Sequence, residues 1–454
     1  MNSLMSTSVI RLKTFWIVFS LLVSVGVAWF VAPGSSIVMQ RGLFIFCFAA
    51  LLWIFELIPL FATSLLVVFL STFLLTPASG KPFEYIALFS NPIIFLFFGG
   101  FVLAAVLHKY FVDEWVVNKI FKWFGTKPFF VLIGLIFATG FLSFWMSNTA
   151  TTAIMLVTIK PILSSLDSKD PFRKAIALSV PFAANIGGIG TPIATPPNAI
   201  AVSLLAEQGV QIDFLRWMLM AVPLVIFLLL ILAAVLSILF PARTKVIHCG
   251  LGERKANRQI WLVTGIAVLT IFLWLTSEWH RIAESHVAIL SVTLFAVTGL
   301  LTKADLKRID WDILILMWGG LALGKAMETS GLAEWVVSFP IFNQTGFVQI
   351  MIFTLLTVAV SAFMSNTAAS NLILPLALSV GGEQMAILAV MVALASSFDM
   401  ILPISTPPNA MAFATHEITS RDMLRSGSIV IAIAITLLLI GYPVFVQKIL
   451  LGNL

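Results

Sequence analysis

The sequence predicts an all-α polytopic membrane protein, with about eleven transmembrane helices plus two re-entrant hairpins in two inverted five-helix repeats, and two broken helices. Three observations predict it. Of the 454 residues, 60% are hydrophobic and only 10% charged, with a mean hydropathy of +1.08. A soluble domain cannot bury that much apolar side chain, so lipid must solvate most of it. A polar triplet, Ser147-Asn148-Thr149, interrupts apolar sequence and returns as Ser365-Asn366-Thr367. A second pair, Thr195-Pro196-Pro197-Asn198-Ala199 and Thr406-Pro407-Pro408-Asn409-Ala410, follows the triplets in the same order.

Apolar spans of bridging length, about 20 residues, fall near 14–32, 41–57, 60–76, 91–108, 213–240, 260–277, 284–301, 311–327 and 426–447. The first begins after Arg11 and Lys13, as a signal peptide would. It is long enough to cross a bilayer, however, and no small-x-small cleavage site follows, so it reads as the first transmembrane helix. Residues 128–163 and 345–380 are too long for one crossing and carry the triplets near their middles, which predicts hairpins with the triplets at the tips. Residues 174–206 and 384–416 carry the proline pairs at mid-span. Proline removes a backbone donor and breaks a helix, so each reads as two half-helices around an unwound stretch. Irregular backbone at membrane depth is tolerated only where protein buries it or a cavity is lined by it.

With the N-terminus cytoplasmic, twenty of the 26 Lys and Arg residues fall in inside loops and six outside, as the positive-inside rule requires. The same map puts the C-terminus outside. The repeat extends beyond the motifs. Phe98-Gly99-Gly100 matches Trp318-Gly319-Gly320, and Glu114-Trp115-Val116-Val117 matches Glu334-Trp335-Val336-Val337, both at an offset of 220. Five crossings per repeat is an odd number, so the halves insert upside down relative to each other.

Composition also excludes. The pI near 9.4 does not signal nucleic-acid binding, because the basic residues lie between apolar spans rather than in a stripe. Cys47 and Cys249 form no disulfide or metal framework. No nucleophile–base pair, metal cluster or cofactor loop suggests an enzyme.

Duplicated, helix-breaking polar segments in apolar sequence are the best sequence pointer to a transporter's binding site. Asn offers two donors and an acceptor, and the Ser and Thr hydroxyls serve either way. The half-helices after each break are expected to add N-terminal N–H groups and a positive dipole end, favouring an anion, while unwound carbonyls favour a small cation. No Lys or Arg lies within the motifs, so dipoles and co-bound cations, Na⁺ foremost, must balance an anionic substrate. Two symmetric tips suit a ligand with an anionic group at each end. Glu56 reads as interfacial, Asp399 as a cation ligand or a helix cap, and the glycine pairs as close-packing positions.

With two Ser-Asn-Thr tips and two Thr-Pro-Pro-Asn breaks in order along essentially the whole chain, the sequence resembles the divalent anion:sodium symporter family. The resemblance implies a transporter of C4-dicarboxylates (succinate, malate, fumarate), citrate or sulfate, in the plasma (inner) membrane. It implies a homodimer working as an elevator, with scaffold at 1–125 and 241–342, transport domain at 126–240 and 343–454, and linking arms at 111–125 and 331–342. Substrate-binding positions carry over to Ser147, Asn148, Thr149, Ser365, Asn366 and Thr367, with Thr195, Pro196, Thr406 and Pro407 close by. One Na⁺ site falls on Ser143, Ser147, Asn148 and the backbone at Ala194, where the family usually has glycine. The other falls on Ser361, Met364, Asn366 and Ser405. Alternatives are a Na⁺-independent dicarboxylate exchanger of the same fold and, from a different class, an anion channel.

Overall fold

Long runs of Leu, Ile, Val and Phe set the helices, and polar caps set their ends. A computed structural model describes residues 7–31, 34–81, 83–247, 257–340 and 346–450. Among them the chain is helical throughout, with no strand. Seven helical segments are long and apolar enough to cross a membrane: Leu12–Phe30, Ile37–Ile54, Leu60–Pro77, Glu84–Lys109, Phe214–Leu239, Arg258–Leu275 and Ser420–Leu439. Asn91, Asp213 and Asn257 begin three helices by accepting from Ile93 N at 3.1 Å, Arg216 N at 2.7 Å and Ile260 N at 2.8 Å. Such caps satisfy donors that have no intrahelical partner.

The segments expected as linking arms, 111–125 and 331–342, form the short helices Val112–Phe124 and Leu332–Val337. Both follow a left-handed residue, Phe111 at φ 59° and Gly331 at φ 71°, which turns the chain sharply out of the preceding helix. The remainder of the expected second arm, at 341–342, and Cys249 lie outside the described residues. One expected span is corrected. The 426–447 stretch is not continuous, because the helix Ser420–Leu439 ends before Gly441, which takes φ 81°, and a new helix runs Tyr442–Leu450. Glu56 is exposed at a left-handed turn, φ 45°, just beyond the Ile37–Ile54 helix.

The glycine pairs do permit close helix packing. Helix Trp311–Ser330 lies along Leu60–Ser79, and Glu284–Val297 along Pro92–Lys109. A Cβ on Gly319 would sit 2.3 Å from Ser64 Cβ and 2.6 Å from its Cα, and one on Gly99 would sit 2.5 Å from Ala288 Cβ. Gly319→Ala is therefore expected to push the helices apart and destabilise the fold by about 1–3 kcal/mol. Thermal unfolding of the purified variant measures this, and an unchanged midpoint would refute it.

At the centre lie the helices that precede the unwound stretches. Phe172–Gly187 is buried over nearly its whole length and Met385–Ala395 from Ile387 onward. Met385–Ala395 is apolar on all faces, which fits a helix enclosed by others rather than one facing water, and Phe172–Gly187 keeps its charges, Arg173 and Lys174, in its first turn. Phe172–Gly187 packs on Pro128–Ser143, Asn148–Thr158, Phe214–Leu239 and Pro407–Phe413, so it touches parts of both sequence halves.

One end of the bundle is tied by polar groups. The Asp170 carboxylate accepts from Phe172 N at 3.0 Å, Thr244 N at 3.1 Å and Thr244 Oγ1 at 2.9 Å. Burial pushes its carboxyl up, but these hydrogen bonds together hold it below the ordinary aspartate value. A carboxylate depressed in the folded state contributes stability above its unfolded value and loses it as pH falls. Asp170→Ala is expected to cost on the order of 3 kcal/mol by orphaning several donors. The wild-type advantage should shrink below about pH 4. Melting curves of both proteins from pH 7 to pH 3 check the direction; an advantage that grew on acidification would contradict it.

Candidate functional site

Both triplets occupy the turn of a helical hairpin. Pro128–Ser143 leads to Asn148–Thr158, and Phe347–Ser361 leads to Asn366–Val380. Ser147 and Ser365 are the N-caps of the second limbs, with extended backbone at φ −60° and −62°. Their hydroxyls accept from Ala150 N at 3.3 Å and Ala368 N at 3.2 Å. The caps leave the first-turn N–H groups of Asn148, Thr149, Asn366 and Thr367 without intrahelical acceptors, at the positive end of each helix.

The proline pairs break the other two helices as expected. Phe172–Gly187 resumes as Pro196–Glu207, and Met385–Ala395 as Pro407–Phe413. One expectation changes here. The two prolines stand at the first two helical positions, where they carry no N–H. The free first-turn N–H groups at the breaks are therefore fewer than expected, and those of the hairpin limbs remain.

Each unwound loop is held by the asparagine that follows its prolines. Asn198 Nδ2 lies 3.0 Å from the Gly188 carbonyl, 3.2 Å from that of Ile189 and 2.8 Å from that of Thr191. Asn409 Nδ2 lies 2.7 Å from the Asp399 carbonyl, 3.0 Å from that of Leu402 and 3.1 Å from Ser405 Oγ. Thr191 Oγ1 donates to the Phe144 carbonyl at 2.6 Å, fixing the first hairpin turn to the first unwound loop.

Behind each hairpin is a corner of oxygen atoms. Ser143 Oγ is 2.8 Å from Asn148 Oδ1 and 2.8 Å from the Ala184 carbonyl. Asn148 Nδ2 makes a long contact of 3.5 Å with Asn185 Oδ1. Asn185 Nδ2 in turn reaches Thr406 Oγ1 at 3.5 Å and Asn409 Oδ1 at 3.4 Å. In the second corner Ser361 Oγ is 2.7 Å from Asp399 Oδ1 and 3.2 Å from the Ser396 carbonyl.

All four motif segments open onto one cavity of about 390 Å³. Ser147, Asn148, Thr149, Ser365, Asn366, Thr367, Thr195, Pro196, Thr406 and Pro407 line it, with Ala194 and Ser405. Ser143, Ser361 and Met364 are buried and are not on its wall. Ala194 is absent from the positive-φ positions, so alanine suits the backbone there. Among the described residues no Lys, Arg or His lines the cavity, and Asp312 is the one charged residue on its wall. A second cavity, of about 740 Å³, shares Ser147 and is lined further out by His108, Lys109, Asp305 and Arg308.

Sequence reasoning missed part of the wall. Asn185 was detectable as an amide inside the apolar run Phe182–Ile186. Leu60, Phe61, Asp312 and Ile313 carry no such signal, because helix packing alone brings them to the cavity.

A family model described as citrate transporter matches residues 50–398. The sodium-dependent dicarboxylate transporter SdcS of Staphylococcus saprophyticus is 33% identical, over 83% of this chain and 80% of the relative. The chain belongs to the divalent anion:sodium symporter family. SdcS of Staphylococcus aureus strain USA300 is also 33% identical, over 88% of this chain and 84% of its own. An uncharacterized transporter of Haemophilus influenzae is 31% identical, over 86% and 88%. As a member of this symporter family the chain is a transporter rather than an enzyme, and with its apolar helices it is a membrane-embedded, multi-pass protein.

Proposed function

We propose that this protein carries C4-dicarboxylates such as succinate, malate or fumarate across the plasma membrane, coupled to Na⁺, by an elevator movement. The observation that carries the reading is the shared cavity: both triplets and both Thr-Pro-Pro turns line it, and no basic side chain among the described residues does. A dianion there meets the free first-turn N–H groups of both hairpin limbs, one helix end for each carboxylate. Those partial charges do not balance two full negative charges, so Na⁺ bound beside the substrate completes the neutralisation. Ser143, Ser147, Asn148 and the Ala194 carbonyl form one cation site in this reading, and Ser361, Met364, Asn366 and Ser405 the other. The name of the SdcS relatives, sodium-dependent dicarboxylate transporter, supports the substrate and ion assignments.

The same reading takes the chain as eleven crossings in two inverted repeats, with re-entrant hairpins and the N-terminus in the cytoplasm. Matched backbone features 220 or 221 positions apart support the repeat: left-handed Phe111 and Gly331, and Gly125 and Gly346 with φ 74° and 64°. The 740 Å³ cavity leads from Ser147 to Lys109 and Arg308, which the charge pattern puts inside. The site is then open to the cytoplasm. The transport unit comprises the hairpins and broken helices, and the scaffold, paired in a homodimer, comprises the remaining spans.

Radiolabelled succinate uptake into proteoliposomes tests the function. An inward Na⁺ gradient should drive uptake that an equal K⁺ gradient does not. Uptake only into liposomes preloaded with succinate would mean an exchanger instead.

A further inference from the structure

The corners behind the two hairpins differ at one position. Aligned through Thr-Pro-Pro-Asn, Gly188 and Asp399 are equivalent. Gly188 has no room for a side chain, since a Cβ would lie 2.3 Å from Asn148 Oδ1. The first corner therefore holds a hydroxyl against an amide, Ser143 against Asn148 at 2.8 Å. In the second corner the equivalent hydroxyl, Ser361, faces a carboxylate instead, with Asp399 Oδ1 at 2.7 Å. The substitution frees two oxygens. Asn366 Oδ1, the counterpart of the oxygen that Ser143 meets, is buried with no hydrogen-bond partner among the described residues, and so is Asp399 Oδ2.

Asp399 is 2% exposed, and no ion pair involving it occurs among the described residues. A buried carboxylate without a counter-charge is strongly unfavourable. The Ser361 hydroxyl that meets it also lies 3.2 Å from the Ser396 carbonyl, and Asn366 opens the helix that follows the hairpin turn beyond Ser361, as Asn148 does beyond Ser143. The helix Met385–Ala395 also ends beside Ser396, adding the negative end of its dipole. This is a collection of hard oxygen acceptors with a surplus negative charge.

We propose that Asp399 is the charged ligand of the second cation site, where Ser361 Oγ, Asn366 Oδ1 and the Ser396 carbonyl are neutral ligands beside Met364 and Ser405. The inference rests on the Na⁺-coupled reading and divides the work between the cations. A cation in the first corner, which has no carboxylate, leaves its positive charge for the substrate. A cation in the second corner neutralises the protein itself. The second site therefore fills at lower Na⁺ than the first and does not need substrate to do so.

The test is Na⁺-dependent thermal stabilisation of the purified full-length protein without substrate, at constant ionic strength with choline as the replacement. Wild type should be stabilised with a saturating Na⁺ dependence. Asp399→Asn should raise the half-saturating Na⁺ concentration at least ~10-fold, the loss of about 1.4 kcal/mol of binding, and Asp399→Glu should recover most of it. A purely structural aspartate would instead lower the melting temperature equally in Na⁺ and choline, and an unchanged half-saturation in Asp399→Asn overturns the proposal. If Asp399→Asn does not fold, Ser361→Ala serves. It keeps the charge and removes one ligand, so a weaker Na⁺ response supports the site and an unchanged one overturns it. A wild type with neither Na⁺ stabilisation nor Na⁺-driven uptake would sink the Na⁺-coupled reading itself. A responsive wild type with an indifferent Asp399→Asn would sink only this inference.

Discussion

Asn148→Ala and Asn366→Ala should each lower succinate uptake at least ~10-fold, about 1.4 kcal/mol of transition-state stabilisation, while leaving a folded protein. Each removes the hairpin-tip amide from the cavity wall. The two variants should differ in stability. Asn148 Oδ1 receives the Ser143 hydroxyl at 2.8 Å, so its loss costs about 1–2 kcal/mol, whereas Asn366 Oδ1 has no partner to lose among the described residues. Uptake and melting temperature measured on the same preparations separate the effects. Near-normal uptake in both variants would remove the binding role from the hairpin tips.

A larger effect is expected at a position outside the substrate-binding set. Asn198→Ala should abolish transport and cost on the order of 3 kcal/mol, because the Gly188, Ile189 and Thr191 carbonyls lose their donor together. These carbonyls lie in a buried loop where water cannot replace the amide. Asn198→Asp should fail as badly as Asn198→Ala, since a carboxylate has no N–H to give. Yield, melting temperature and uptake of the two variants decide the matter. Transport retained by Asn198→Asp would show that shape, not hydrogen-bond donation, keeps the loop open. Asn409 holds the second loop in the same way.

The contrast explains what the sequence could and could not reveal. The triplets and proline pairs were legible because polar or helix-breaking residues in apolar sequence have no cheap alternative at membrane depth. Their individual duties were not. Ser147 and Ser365 are caps as well as wall residues, and a cap is defined by backbone angles that composition does not record. The missing donors at Pro196-Pro197 and Pro407-Pro408 follow from proline chemistry once the helix start is fixed, which needed the structure. Hydropathy ran 426–447 together because it is blind to the left-handed turn at Gly441. Asp312 reaches the cavity from a helix whose sequence looks like any other span. Asp399 was visible as an odd charge standing where the repeat has Gly188, yet only the structure shows that it faces Ser361 and leaves one carboxylate oxygen unpaired among the described residues.

The central claim is that one cavity between the four motif segments holds a dicarboxylate and Na⁺ together. Succinate affinity of the purified protein, titrated calorimetrically at high and low Na⁺ with K⁺ as the balance, tests it most directly. Because linkage is reciprocal, succinate should bind much more tightly in Na⁺ than in K⁺, and binding should be lost in Asn148→Ala and Asn366→Ala. Equal affinity in Na⁺ and K⁺, or full affinity in both variants, would contradict the account.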